Sequence, residues 1–137
     1  MTSTFHLSLP CLEIEKTKIF YKNILGATLG RQSENWIDIN LFGNQLTFVK
    51  SGNSNFTFKN YMFEGRILPS FHFGIILLES DWEILYHKIK PHTKFYLDKN
   101  KFLLNKNGQH SSFFVTDPNG YVIEFKSFDS TKEIFSN

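Results

Sequence analysis

The chain states one pattern twice, and that repetition limits its fold more than any other feature. Thr4-Phe5-His6-Leu7-Ser8-Leu9 alternates apolar and polar residues with the period of a half-buried strand. Phe5, Leu7 and Leu9 share one face, and His6 and Ser8 the other. A helical stripe of Ile19, Phe20, Ile24 and Leu25 comes next within residues 15–25, and Gly26 stands where helices commonly end in a left-handed residue. Three extended stretches succeed it, at Thr28–Gln32, Trp36–Leu41 and 45–49, with Gly43-Asn44 marking a turn between the last two. Residues 51–69, rich in Ser, Gly and Asn with Phe and Tyr interspersed, read as a connector.

The order then restarts. Ser70-Phe71-His72-Phe73-Gly74-Ile75 alternates as the first strand does, with His72 opposite the apolar face. A helix over 81–90 carries Trp82, Leu85, Tyr86 and Ile89; Ser80 and Glu83 have the spacing of a capping box, and Pro91 stops the helix. Strands are expected at 95–97, 102–104, 111–115 and Val122–Phe128, with Asp117-Pro118-Asn119-Gly120 as the turn between the last two. His6 and His72 thus occupy matching points of two βαβββ units that can pair to complete one core. The expectation is an α+β chain: a single domain over 1–137 whose modules, about 4–50 and about 70–128, form a curved mixed-sheet cup.

Composition narrows the function by exclusion. The 137 residues are 41% hydrophobic and 20% charged, so a core can form without disulfides or a structural metal, and any metal is functional rather than structural. Fifteen Lys and Arg against 13 Asp and Glu leave a net charge of +2 with no basic cluster, which argues against nucleic acid as a partner. The longest apolar run, Ile75 to Leu78, is too short to span a bilayer. The opening Met1-Thr2-Ser3-Thr4 lacks the basic and apolar stretches of a signal peptide, so a cytoplasmic location is expected. The single Cys11 offers neither a disulfide framework nor a cysteine zinc site. The 16 Phe are read as a Phe-rich core.

Two imidazoles and a carboxylate suit divalent first-row metals. His6, His72 and Glu124 each fall in an expected strand, opposite the apolar face, and would converge if both sheets curve about a shared cup. Taken singly, a strand His is more often hydrogen-bonded structure and a strand Glu more often solvated; the repeat favours the metal. Two His and one carboxylate on one side of an ion leave open positions for two substrate oxygens or dioxygen, the arrangement of non-haem Fe(II) oxygenases. Gln45, Gln109 and Trp36 are candidate substrate contacts, and His110 is the candidate acid or base. His87 and His92 are expected to be solvated.

Phe20-Tyr21-Lys22-Asn23-Ile24-Leu25-Gly26 resembles the first-helix signature FYxxxLG of the vicinal-oxygen-chelate superfamily, which includes glyoxalases, bleomycin-resistance proteins and extradiol dioxygenases. The segment Asp117-Pro118-Asn119-Gly120-Tyr121-Val122-Ile123-Glu124 resembles its DPxGxxxE signature, which ends in a metal-binding Glu. His6 and His72 match the His that opens each module. The stretches 36–45 and 69–74 also resemble small extradiol-dioxygenase-like bacterial proteins, which commonly read Gly-His-Gln where this chain has Gly43-Asn44-Gln45. The fourth ligand of glyoxalase I would fall at Thr47, which is no carboxylate, so the resemblance implies a three-ligand, dioxygenase-like arrangement. It implies Fe(II) first, with Mn(II), Zn(II) or Ni(II) as alternatives, a catechol-like small-molecule substrate and a possible homodimer. No match for the additional His and Tyr acid–base residues of true extradiol dioxygenases is found. A non-catalytic binding protein of the bleomycin-resistance kind is the alternative, and a metal-dependent isomerase, epimerase or thiol transferase ranks last.

Overall fold

The computed structural model describes residues 1–52 and 57–137. Among these residues ten strands and two α-helices run in the order β1 (His6–Cys11), α1 (Ile14–Ile19), β2 (Thr28–Gln32), β3 (Trp36–Leu41), β4 (Asn44–Lys50), β5 (Asn60–Phe63), β6 (Arg66–Pro69), β7 (Phe73–Ile76), α2 (Glu79–Ile89), β8 (Phe95–Phe102), β9 (His110–Thr116) and β10 (Val122–Phe128). Contacts divide the chain into two compact units. One is Met1–Phe56 with Asp117–Gly120, and the other is Thr57–Thr116 with Tyr121–Asn137.

Each unit holds a four-stranded mixed sheet, and the two have the same topology. The strand orders are β1-β4-β3-β2 and β7-β10-β9-β8. In both, the first strand lies parallel to the last, and the remaining pairs are antiparallel. The repeated βαβββ order read from the sequence is therefore present in an α+β chain.

In the first unit the apolar face is built from Leu9, Cys11, Ile37, Ile39, Leu41, Leu46 and Phe48, all buried. α1 runs on into a π-helical turn, Phe20–Leu25, closed by Gly26 in the left-handed region at φ 83°. Phe20, Tyr21 and Leu25 are buried, and the Tyr21 and Phe48 rings meet at 4.9 Å. Ile19, expected on this stripe, is exposed; it sits two residues from Thr17 and from Tyr21, which places it on the far side of the helix from the buried pair. Ile24 is only half-buried.

In the second unit α2 buries Trp82, Leu85, Tyr86 and Ile89, as its sequence period predicts. Trp82 packs on Phe113, and Phe113 on Phe125, at 5.2 and 5.3 Å between ring centres. The helix starts earlier than expected, with Leu78 at the N-cap and no side-chain cap, so Ser80 and Glu83 form no capping box. Glu79 and Asp81 in the first turn, with His87 and Lys88 in the last, complement the helix dipole instead.

Turn chemistry explains the other departures. The β3–β4 turn is Phe42-Gly43 rather than Gly43-Asn44: both residues have positive φ, 52° and 92°, as a two-residue hairpin loop requires. The same device at Glu64-Gly65, φ 45° and 77°, makes a β5–β6 hairpin inside the stretch read as a connector. Part of that connector, residues 53–56, lies outside the described residues. The expected strands at 95–97 and 102–104 are one strand, β8, carrying two register shifts that let it stay paired with β9. Leu104 falls in the turn beyond it.

Candidate functional site

The face of each sheet opposite its helix carries the polar side chains, and register fixes how they line up. In the first sheet His6 pairs with Gln45 and Ser8 with Thr47, while Thr47 pairs with Asp38 on its other side. In the second, Gly74 pairs with Glu124, and Glu124 with Phe114. Thr47 is thus the first sheet's counterpart of Glu124, as the sequence alignment of the two modules requires.

His72 does not sit in a strand. It precedes β7, whose pairing with β10 begins only at Phe73. A tight turn holds it there: its Nδ1 lies 2.9 Å from the Pro69 carbonyl oxygen. Donation from Nδ1 leaves Nε2 with its lone pair, and Nε2 stands 3.3 Å from Glu124 Oε2. Ser112 donates its hydroxyl to Glu124 Oε1 at 2.6 Å, and Lys126 Nζ stands 3.5 Å from Oε2. Burial opposes ionisation of Glu124, but His72, Lys126 and Ser112 outweigh it, and its pKa lies below the usual carboxylate value. When the ring is protonated, Nε2–H donates to Glu124 instead, and that bond raises the His72 pKa against the effect of burial.

His72 and Glu124 therefore meet as a pair with the chemistry of metal ligands. In its neutral form the imidazole offers Nε2, with its other nitrogen anchored on a carbonyl, and the carboxylate is oriented by a hydroxyl; this outer support is what metal sites use to fix their ligands. The pair supplies two ligand types that suit a divalent ion. Among the described residues, no three His, Cys, Asp or Glu side chains form a group that could hold an ion. His6 belongs to the first unit, exposed at the start of β1.

His110 opens β9 and is buried, stacked on Phe102 at 5.4 Å and tilted against Phe128 at 5.2 Å. Its Nδ1 lies 2.7 Å from the Gly108 carbonyl oxygen. Burial pushes its pKa down, so at neutral pH it is an uncharged ring with Nε2 as an acceptor. Gln109 is engaged at both ends of its amide: Oε1 accepts from the Asn105 amide at 2.6 Å, and Nε2 donates to Asp129 Oδ2 at 2.5 Å.

Gln45 and Trp36 lie on the His6 face of the first sheet. A cavity of about 390 Å³ opens there, lined by Thr4, Arg31, Asp38, Asn40, Asn44 and Gln45 among others. Trp36 is half-buried, with the Arg31 guanidinium 5.8 Å from its ring centre. Asp38, buried, accepts from Thr47 Oγ1 at 2.7 Å and from Arg31 Nε at 3.2 Å.

Several of these groups escape a reading of the sequence. Lys126 and Ser112 share the Glu124 face by strand alternation, a signal available once β9 and β10 are paired. Tyr61 carries no such signal, because the hairpin that bears it reads as a connector. Its pKa is raised by burial and then by the charge of Glu124. The hairpin packs over this same sheet: Leu68 and Phe63 join Phe102, Phe114, Val122 and Leu97 in one apolar cluster.

No protein-family model matches the sequence, and no curated protein matches it. Solved structures do match over nearly the whole chain. A glyoxalase/bleomycin resistance protein/dioxygenase from Alicyclobacillus acidocaldarius is 25% identical, with a TM-score of 0.82, covering 97% of this chain and 96% of its own. A protein of the same description from Nocardioides is 15% identical, with a TM-score of 0.67 over 100% of this chain and 90% of its own. The fosfomycin resistance protein FosX of Listeria monocytogenes, in complex with Mn(II) and sulfate, is 12% identical, with a TM-score of 0.66 over 99% of both chains. No helix among the described residues is long and apolar enough to cross a membrane. With its doubled βαβββ sheets and these neighbours, the chain carries the glyoxalase/bleomycin resistance/dioxygenase fold of the vicinal-oxygen-chelate superfamily.

Proposed function

We propose that this protein is a metal-dependent, dioxygenase-like enzyme acting on a small molecule with two neighbouring oxygens, such as a catechol. The observation that carries the reading is the His72 Nε2–Glu124 Oε2 approach of 3.3 Å, with the other imidazole nitrogen held by Pro69. His6 is the third ligand in this proposal, and the absence of a carboxylate at Thr47 leaves no fourth. A divalent ion held there supplies a Lewis acid and a template for the substrate's oxygens. FosX, which shares the fold, is known with Mn(II), which supports a divalent ion; Fe(II) is the metal proposed for oxygen chemistry.

The chain's own groups then divide the work. Ser112 holds the Glu124 carboxylate in one orientation. His110, uncharged and anchored at Nδ1, is the proposed base, taking a substrate proton at Nε2. Gln45, Trp36 and Gln109 are proposed to contact the substrate, Gln109 through the second amide hydrogen or lone pair that its bonds to Asp129 and Asn105 leave over. A cytoplasmic location is part of the proposal, and a homodimer is the proposed assembly.

A second reading is favoured by one observation: Glu124 already has a cation beside it, Lys126 at 3.5 Å. A metal-free cup that binds a ligand without turning it over would keep that pair. Two measurements separate the readings. Metal analysis should show one Mn(II) or Fe(II) per chain, and electron paramagnetic resonance a bound signal for Mn(II), with His6→Ala, His72→Ala and Glu124→Gln each lowering affinity on the order of 100-fold. Aerobic, Fe(II)-loaded protein should consume oxygen on addition of catechol. Absence of bound metal, with no oxygen uptake after Fe(II) is added, overturns the enzyme; tight catechol binding without turnover establishes the second reading.

A further inference from the structure

We propose that the ligand of the His72–Glu124 site carries an oxyanion, such as a carboxylate, and that Lys126 is the residue that selects it; this rests on the metal-dependent reading above. Lys126 lies two residues beyond Glu124 on β10 and so shares its face. Its ammonium and the His72 imidazole approach the same oxygen, Oε2, at 3.5 and 3.3 Å, while Ser112 occupies Oε1. The lysine side chain is 26% exposed, and its Nζ lies 5.8 Å from the Phe128 ring centre. Among the described residues, no acid other than Glu124 is within ion-pair distance of it.

Charge decides which ligand suits this site. Once Oε2 is engaged by a divalent ion, the ammonium loses the one carboxylate it has, and a half-buried cation without a partner is costly. The other polar groups named on this face, Ser112 and neutral His110, bring no negative charge to replace it. The ion, the Glu124 carboxylate and the Lys126 ammonium together leave the site positive, and a catechol that passes its proton to His110 leaves that net charge unchanged. A ligand with a carboxylate beside its chelating oxygens offsets it, by giving Lys126 a charge-assisted hydrogen bond.

The test has two stages. Mn(II) uptake is first read by electron paramagnetic resonance in wild type, Lys126→Met and Lys126→Arg, with circular dichroism to check folding. Lys126→Met should bind Mn(II) at least as well as wild type, since a rival cation is gone. Calorimetry on the Mn(II)-loaded proteins then compares protocatechuate, a catechol bearing a carboxylate, with catechol itself. Wild type and Lys126→Arg should prefer protocatechuate about tenfold or more, and Lys126→Met should lose the preference. Equal affinities in wild type, a preference that survives in Lys126→Met, or no binding of protocatechuate overturns the inference. If wild type takes up no Mn(II), the metal reading fails by itself. The same calorimetry on metal-free protein then decides this one: a preference lost in Lys126→Met sustains it, and any other result overturns it.

Discussion

Each of the two sheets buries a carboxylate at the same rung, but on opposite strands of the pair. In the first sheet the acid is Asp38 on β3, across from Thr47 on β4; in the second it is Glu124 on β10, across from Phe114 on β9. Asp38 is satisfied by partners that do not change state near neutral pH, the Thr47 hydroxyl and the Arg31 guanidinium. Glu124 is held by a hydroxyl at one oxygen and faces an imidazole and an ammonium at the other. The same scaffold thus uses one acid to close a polar face and the other to present a charge. A buried carboxylate is not by itself a site; its partners decide which it is.

That contrast can be broken by experiment. The largest expected effect is at Gly74, which lies against Glu124 where β7 meets β10. A Cβ there would run into the Glu124 carbonyl oxygen and crowd its Cβ. Gly74→Ala should cost about 3 kcal/mol in denaturant unfolding and should weaken Mn(II) uptake as well, because strand separation moves the ligand itself. Ser8, its counterpart in the first sheet, already carries a side chain. Ser8→Ala should be close to neutral in both measurements, and a loss as large as that at Gly74 would erase the distinction.

Next comes the exchange of each acid for its amide. Asp38→Asn should lower unfolding free energy by about 1.5 kcal/mol, with Mn(II) affinity unchanged, since it weakens bonds to Arg31 and Thr47. Glu124→Gln should do the reverse, changing stability by less than about 1 kcal/mol because removal of a buried charge offsets the lost bonds. Loss of metal binding in Asp38→Asn would show that both acids serve one ion.

The smallest effect concerns pH. Burial lowers the His110 pKa below its ordinary value of 6.5, so the unfolded chain takes up a proton that the folded one resists. Its contribution to stability is complete above that value and is lost as pH falls from it toward the folded-state pKa. For a single proton the slope cannot exceed about 1.4 kcal/mol per pH unit. His110→Phe should flatten this acid limb of a melting-temperature profile. The high-pH plateau should drop slightly with the lost Gly108 bond.

Strand alternation and turn residues made much of the fold legible. Thr28–Gln32, Trp36–Leu41 and Val122–Phe128 are bounded as expected, because each is flanked by chain that cannot continue a strand. The β5–β6 hairpin escaped because its turn, Glu64-Gly65, stands in a segment whose Ser, Gly and Asn content signals a connector. Its Leu68 and Phe63 show their purpose only when the apolar cluster they complete is seen. The exposure of Ile19 depends on which side of α1 meets the sheet, and a stripe as broad as the one here does not settle that. For the site, residue types and strand faces were legible for Glu124. The turn that takes His72 out of its strand was not, because it hinges on a local bond to Pro69. Lys126 and Tyr61 were missed because neither resembles a ligand; both matter through the charge of Glu124.

The Asp117–Gly120 turn groups with the first unit, although it lies in the last hairpin of the chain. Asn119 Oδ1 accepts the Leu12 amide, its Nδ2 donates to Thr17, and Asp117 takes the buried Tyr21 hydroxyl at 3.1 Å. During synthesis the N-terminal half therefore emerges from the ribosome well before its last hydrogen-bond acceptors exist. It can form its strands early, but it must wait for translation to pass residue 120 before these bonds can close.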